Sequence, residues 1–179
     1  RFGQARAYGM EFFLRKQTGR LSGMVGYTLA RTERKVEAIA EDWYPTKYDK
    51  THDISIVAAY DLTKRVSLGA TFVYGTGAAV TFPTGRFEYY GTVVPVFGER
   101  NSNRMPAYHR MDIGATIQQK KNETRNWKGE WVFSVYNVYF RKNAYQIEFR
   151  QSEEDPNVTE AVKTYLLPIL PSVTYNFKF

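Results

Sequence analysis

Any chemistry in this chain has to be assembled without cysteine, which is absent from its 179 residues. That removes thiol nucleophiles, disulfides and cysteine-based metal sites together. The two histidines, His52 and His109, have no second histidine and no paired carboxylate at ligand spacing, so they read as hydrogen-bonding groups and no metal site is expected. Glu153-Glu154-Asp155 reads as a solvated acidic loop in preference to a calcium site. Gly75-Thr76-Gly77 lacks the spacing of a phosphate-binding loop. Asn122-Glu123-Thr124 and Asn157-Val158-Thr159 match glycosylation sequons. No nucleophile is spaced to meet a base, so neither an enzyme nor a cofactor is expected. What the residue types do offer is binding. The segment Gly75–Ala107 carries Arg86, Phe87, Tyr89, Tyr90, Arg100 and Arg104, and an earlier one carries Trp43, Tyr44 and Tyr48. Aromatic rings with guanidinium groups capture ligands by stacking and charge-assisted hydrogen bonds. They equally suit packing of one loop on another.

The elements that must position these residues are strands. Apolar and small or polar residues alternate with period two over most of the chain, and no useful stretch has helical periodicity. Tyr8, Met10, Phe12 and Leu14 form the first apolar series. Leu21, Val25, Tyr27 and Leu29 follow after Thr18-Gly19-Arg20, then Ile54, Ile56, Ala58 and Tyr60. Val66, Leu68, Ala70, Phe72 and Tyr74 lie beyond the turn at Asp61–Arg65, followed by Met111, Ile113, Ala115 and Ile117. A sixth strand, around Trp131 to Tyr139, is apolar on both faces, which leaves its orientation open. The seventh alternates Val173, Tyr175, Phe177 and Phe179 with Ser172, Thr174, Asn176 and Lys178.

Two features point from strands to a transmembrane barrel. Short links at Gly19, at Thr63 and, of middling length, at Lys120–Gly129 alternate with long ones through Arg31–Lys50, Gly75–Ala107 and about Arg141–Thr164. Outer-membrane barrels segregate tight periplasmic turns from long outer loops in this way. The face opposite the apolar one is too small and polar for a packed core, and aromatics such as Tyr27, Tyr60, Tyr74 and Phe179 stand near presumed interfaces. The mean hydropathy of −0.49 excludes little, because every second residue of such a strand faces the lumen or water. On this reading His52 and His109 make rim or lumen hydrogen bonds, and Arg110 and Asp112 point inward as a wall ion pair or a plug contact. The loops could also touch lipopolysaccharide.

The formal charge is +7 and aromatics make up 16% of residues, a balance that first suggests nucleic acid. Lys and Arg are nevertheless spread along the sequence, which suits anionic lipid headgroups and argues against a nucleic-acid partner. Tyr175, Phe177 and the terminal Phe179 resemble the signal that the barrel assembly machinery recognises. Bacterial single-chain barrels have an even strand number. A count of about seven, together with the opening at Arg1, therefore points to a piece of a larger protein, with a passive eight-stranded barrel as the rival.

Several segments together resemble the C-terminal part of TonB-dependent receptors of the Bacteroidetes. They are Ala7–Lys16, Thr51–Ser55, Arg104–Asp112, Tyr136-Asn137-Val138-Tyr139 with Arg141-Lys142-Asn143, and Leu167-Pro168 through Pro171–Tyr175 to Phe179. The resemblance implies an all-β antiparallel barrel of about 22 strands with a plug in its lumen. It also implies a partner, TonB, that binds ahead of the plug and transmits energy. Neither plug nor TonB-binding segment is in this sequence, so the remainder of the barrel and the plug are themselves expected partners. A surface lipoprotein is left open. The function implied is import of a nutrient across the outer membrane.

Overall fold

The computed structural model describes residues 2–37, 39–120, 127–154 and 158–179. Among them the chain is all-β, and every strand pairing is antiparallel. The strands are β1 (Gln4–Lys16), β2 (Leu21–Lys35), β3 (Tyr44–Pro45), β4 (His52–Asp61), β5 (Val66–Gly75), β6 (Ala79–Val80) and β7 (Pro83–Tyr89). They continue as β8 (Thr92–Phe97), β9 (Asn103–Arg104), β10 (Tyr108–Gln118), β11 (Lys128–Tyr136), β12 (Ala144–Gln151), β13 (Thr159–Tyr165) and β14 (Leu170–Lys178). Seven of them form one sheet in the order β1-β2-β4-β5-β10-β11-β14, with β3 added on the end of β2. These seven are the strands read from the alternation, except that the sixth, expected around Trp131 to Tyr139, ends at Tyr136, where Asn137 takes φ +53°.

Register fixes what the sheet presents. Residues directly opposite each other across a pair share a face, so apolar positions line up in rows. One row runs Leu14, Val25, Ile56, Phe72, Met111, and another runs Leu21, Tyr60, Leu68, Ala115, Phe133, Val173. The opposite face carries rows such as Ala59, Gly69, Gly114, Ser134, Ser172. The open orientation of β11 is thereby resolved: Trp131, Phe133 and Val135 join the apolar face, Val132 and Ser134 the small-residue face. Among the described residues nothing covers the apolar face. Leu14 is 72% exposed and Val173 61%, and Ala79 is the sole buried hydrophobic residue among those described.

Aromatic clusters mark both ends of the apolar face. Toward the long links, Phe12, Tyr27 and His52 stack in series and Tyr74 stacks on His109. Toward the tight turns, Trp131 packs on Phe133 and Tyr175, and Tyr175 on Phe177. From His109 to Ile117, opposite Trp131, is eight residue steps, roughly 26 Å along the strand. Beyond this band β2 continues with Arg31, Glu33 and Lys35 on the same face.

The tight turns have local causes. Gly19 has φ +90°, a conformation in which a side chain is strained. In the next turn Thr63 Oγ1 accepts the N–H groups of Arg65 and Val66 at 3.2 and 3.0 Å. The long links contain strands of their own. β2 runs five residues past Ala30 into the first link. The second link folds into two short antiparallel pairs, β6–β9 and β7–β8, and the third into β12–β13. The β7–β8 hairpin turns on Tyr90 (φ +48°) and Gly91 (φ +76°), positive at both central residues as a tight right-twisted hairpin requires.

Two glycines in the main sheet have opposite surroundings. A Cβ on Gly23 would sit 2.3 Å from the carbonyl oxygen of Val57, whereas one on Gly69 would meet nothing within 4 Å. Gly23→Ala should therefore cost about 1–3 kcal/mol, and Gly69→Ala should gain about 0.5 kcal/mol by restricting the unfolded chain. Urea unfolding of the two variants measures both signs.

Candidate functional site: a cleft built by the long links

The first two long links converge over one end of the sheet. The segment Ile39–Pro45 forms one wall of a cleft of about 810 Å³, and the turn Phe97–Ser102 forms the other. Trp43, Tyr44 and Phe97 supply aromatic surface, and Glu41, Asp42, Glu99 and Arg100 supply charge. Trp43 is held from behind, where the Arg6 guanidinium stacks 4.3 Å from its ring centroid. Arg6 is fixed by Glu33, its Nη2 standing 2.6 Å from Oε2, and Arg31 Nε donates to Oε1 at 2.7 Å. Glu33 is almost wholly buried, yet hydrogen bonds from Arg31 and Arg6 hold its carboxyl below the usual carboxylate range.

The walls are joined by buried polar contacts. Asn101, at φ +54°, donates through Nδ2 to the Pro45 carbonyl at 2.7 Å, and its own N–H donates to Thr81 Oγ1 at 2.8 Å. Asp49, 1% exposed, accepts the Thr32 N–H at 2.6 Å and forms an ion pair with Arg104. Arg104 also donates to the carbonyls of Asp49 and Gly77 at 3.0 and 3.2 Å. One guanidinium thus pins the first link to the second. Glycine at position 77 lets the backbone at Met105 come close, since a Cβ there would clash with the Met105 carbonyl.

The structure divides the residues expected to contact a ligand, with Tyr48 exposed on the first link beside Lys47. Trp43, Tyr44 and Arg100 line the cleft together. Arg104 lies beneath it with its donors committed to Asp49 and Gly77. Arg86, Phe87, Tyr89 and Tyr90 sit apart on the β7–β8 hairpin. There Arg86 donates to Thr159 Oγ1 at 2.9 Å, and Tyr89 and Tyr90 meet edge to face at 4.6 Å. Phe82 packs edge-on against Phe149 at 5.1 Å, which ties the second link to the third.

The remaining predicted residues fall on the main sheet. Arg110 Nε is 3.0 Å from Asp112 Oδ2 on the small-residue face, and its guanidinium lies 4.1 Å from the Tyr136 ring centroid. Asp112 also accepts the Asn137 N–H at 2.8 Å. Tyr175 accepts from Gln119 Nε2 at 3.2 Å, Phe177 stands opposite Gly129, and Phe179 meets Phe177 edge-on at 5.5 Å. His52 and His109 each share a hydrogen bond with a tyrosine hydroxyl, Tyr27 at 2.9 Å and Tyr139 at 2.8 Å.

The structural role of two asparagines was not read from the sequence. Asn137, 1% exposed at φ +53°, donates to the carbonyls of Arg141 and Pro168 and so knots the end of β11 to the approach to β14. Asn143 completes the knot, exchanging hydrogen bonds with the backbone of His109 at 3.1 and 2.9 Å. The available signal was the residue type, since asparagine tolerates positive φ better than other side chains. Asp155 of the acidic run, the sequon Asn122-Glu123-Thr124 and Asn157 of the second sequon lie outside the described residues, as does Lys121.

No protein-family model, curated protein or solved structure matches the chain.

The joint between the two links is testable. Asp49→Asn leaves the Arg104 guanidinium without its counter-charge and should cost about 1–3 kcal/mol. Hydrogen exchange should accelerate at Thr32 and through the cleft walls, while the strands at Ile113 and Phe133 keep their protection.

Proposed function

We propose that this chain is part of the wall of a bacterial outer-membrane β-barrel that imports a nutrient ligand by a TonB-dependent route. The observation that carries the membrane reading is the apolar face. It is continuous in register across seven strands, bounded by aromatics at both ends and covered by nothing among the described residues. A sheet in water would have to bury such a face, whereas lipid solvates it and the alternate residues face a lumen. A band of roughly 26 Å along strands tilted by about 40° rises about 20 Å, which covers most of the ~25 Å apolar height of an outer-membrane barrel. The long links then lie outside the cell, and Arg110 and Asp112 face the lumen, where a plug would contact them. The unpaired edges of β1 and β14 cannot rest in hydrocarbon, so further strands of the same barrel cover them.

The cleft supports ligand capture over a purely structural wall, because its two walls are tied by partly buried polar contacts while Trp43, Tyr44, Phe97 and Arg100 line the space between them. Energy coupling through TonB rests on the segments that resemble those receptors, Ala7–Lys16 and Arg104–Asp112 among them. The barrel assembly machinery, lipopolysaccharide and a surface lipoprotein follow as partners from the same reading.

The experiment is uptake in cells together with fractionation. The protein should stay in the outer-membrane fraction through a carbonate wash, and a protonophore should abolish uptake of its ligand. Trp43→Ala combined with Arg100→Ala should weaken ligand binding about tenfold or more without changing thermal stability. Uptake that survives the protonophore would indicate a passive pore, and extraction without detergent would remove the membrane reading altogether.

A further inference from the structure

The sheet divides charge unequally between its two ends. The first tight turn brings Arg15, Lys16 and Arg20, the second Lys64 and Arg65, and the strand ends beyond them add Lys120, Lys128 and Lys178. Only Asp61 and Glu130 oppose them among the described residues of that end, so the tight-turn end is a basic rim. The cleft at the other end has the opposite balance. Although the chain carries a formal charge of +7, the described residues lining the cleft set Glu41, Asp42 and Glu99 against Arg100 alone.

These charges stand on both walls. Glu41 and Asp42 belong to the segment Ile39–Pro45, and Glu99 and Arg100 to the turn Phe97–Ser102. All four are exposed. The ion pairs found among the described residues lie elsewhere, at Glu33, Asp49 and Asp112, so none of them neutralises the cleft. Behind Trp43, Arg6 and Arg31 share Glu33. That leaves one positive charge outside the cleft against two negative ones inside it, three carboxylates less one guanidinium. The walls are tied by Asn101, which donates to the Pro45 carbonyl at 2.7 Å. Carboxylates are therefore held on both sides of one space, where like charges repel and a cation between them is attracted by both. Trp43, Tyr44 and Phe97 line the same space, and aromatic faces attract ammonium groups as well as apolar ones.

We propose that the cleft binds short basic peptides. The inference rests on the reading of the cleft as a ligand site. Three carboxylates call for more than one cationic group, and lysine side chains with an N-terminal ammonium supply them. Arg100 offers a terminal carboxylate a planar, bidentate partner. Trp43, Tyr44 and Phe97 take apolar side chains by packing and stacking. A molecule with several ammonium groups, one carboxylate and apolar groups between them meets all of these together. The volume of about 810 Å³ lies in the range of ligand pockets. An anion would meet an excess of like charge. A neutral glycan would stack on the rings but leave the repulsion between the walls unrelieved.

The test is titration calorimetry of the full-length protein in detergent, with the tripeptides Lys-Phe-Lys and Glu-Phe-Glu and the neutral sugar maltotriose. Lys-Phe-Lys should bind at low salt, and its affinity should fall at about 0.5 M salt as screening sets in. Glu-Phe-Glu should bind at least about tenfold more weakly. The triple variant Glu41→Gln, Asp42→Asn, Glu99→Gln should keep its thermal stability, because these carboxylates are exposed and lie outside the ion pairs. It should bind Lys-Phe-Lys about tenfold more weakly, the combined worth of a few exposed ion pairs. Arg100→Gln should reduce the preference for the free peptide over its C-terminally amidated form. Equal binding of the two peptides, a preference for Glu-Phe-Glu, or binding of neither would overturn the proposal. So would an undiminished affinity in the triple variant or an unchanged preference in Arg100→Gln. Binding of maltotriose without Lys-Phe-Lys would assign the cleft to a neutral glycan instead. Failure of the cleft as a ligand site would look different: Trp43→Ala with Arg100→Ala would leave uptake in cells unchanged.

Discussion

The rest of the structure depends on the period-two geometry of the strand combined with one unbroken register. Because successive side chains point to opposite faces, a slip of a single residue at any pair would carry that strand's apolar set to the wrong side. The six pairings of the main sheet avoid this. Leu14, Val25, Ile56, Phe72 and Met111 stay in one row, and Phe13, Gly26, Ser55, Val73 and Arg110 stay in the row behind. Tight turns set the register at one end, through the positive φ of Gly19 and the Thr63 hydroxyl. At the other end it is locked by Asn137 and Asn143, whose side chains take up backbone groups that the strands leave unpaired.

The same geometry explains why binding groups collect where they do. Strand ends on the tight-turn side leave room only for a few residues, and Lys and Arg recur among and beside them. Strand ends on the long side support links that fold into hairpins of their own. Those links are tied by a small number of polar contacts: the partly buried pairs of Asp49 with Arg104 and Asn101 with Pro45, and the exposed one of Arg86 with Thr159. A cleft with aromatic walls persists there because its floor is hydrogen-bonded. The sheet is thus a scaffold with two chemically different ends, a mixed-charge cleft and a basic rim, separated by an apolar band.

Much of this was legible in the sequence, and the boundary has a physical cause. The seven main strands show because one face needs apolar residues and the other cannot hold large ones. Tyr8 to Leu14 and Val66 to Tyr74 are plain examples. β11 did not reveal its face, since Val132 and Val135 are apolar on opposite sides and only pairing with Ile113, Ala115 and Ile117 settles the matter. The strands within the long links were missed because they are two-sided or very short, and their alternation carries no burial signal. Tyr90-Gly91 between Phe87 and Val94 was a readable hairpin cue. The role of Arg104 was hidden for a different reason: a loop arginine near aromatics looks the same whether it faces a ligand or a buried aspartate 55 residues away. The basic rim was hidden because its members come from separate turns, and only the sheet brings them together.

The central claim is that the apolar face meets lipid and the small-residue face meets water. The chain has no cysteine, so single cysteines placed from Ser67 to Phe72 of β5 can each carry one spin label without background. In lipid vesicles, labels at Leu68, Ala70 and Phe72 should collide freely with dissolved oxygen and be shielded from a water-soluble nickel chelate. Labels at Ser67, Gly69 and Thr71 should show the opposite preference. Equal nickel access at all six positions, or a preference without the two-residue period, would contradict the account.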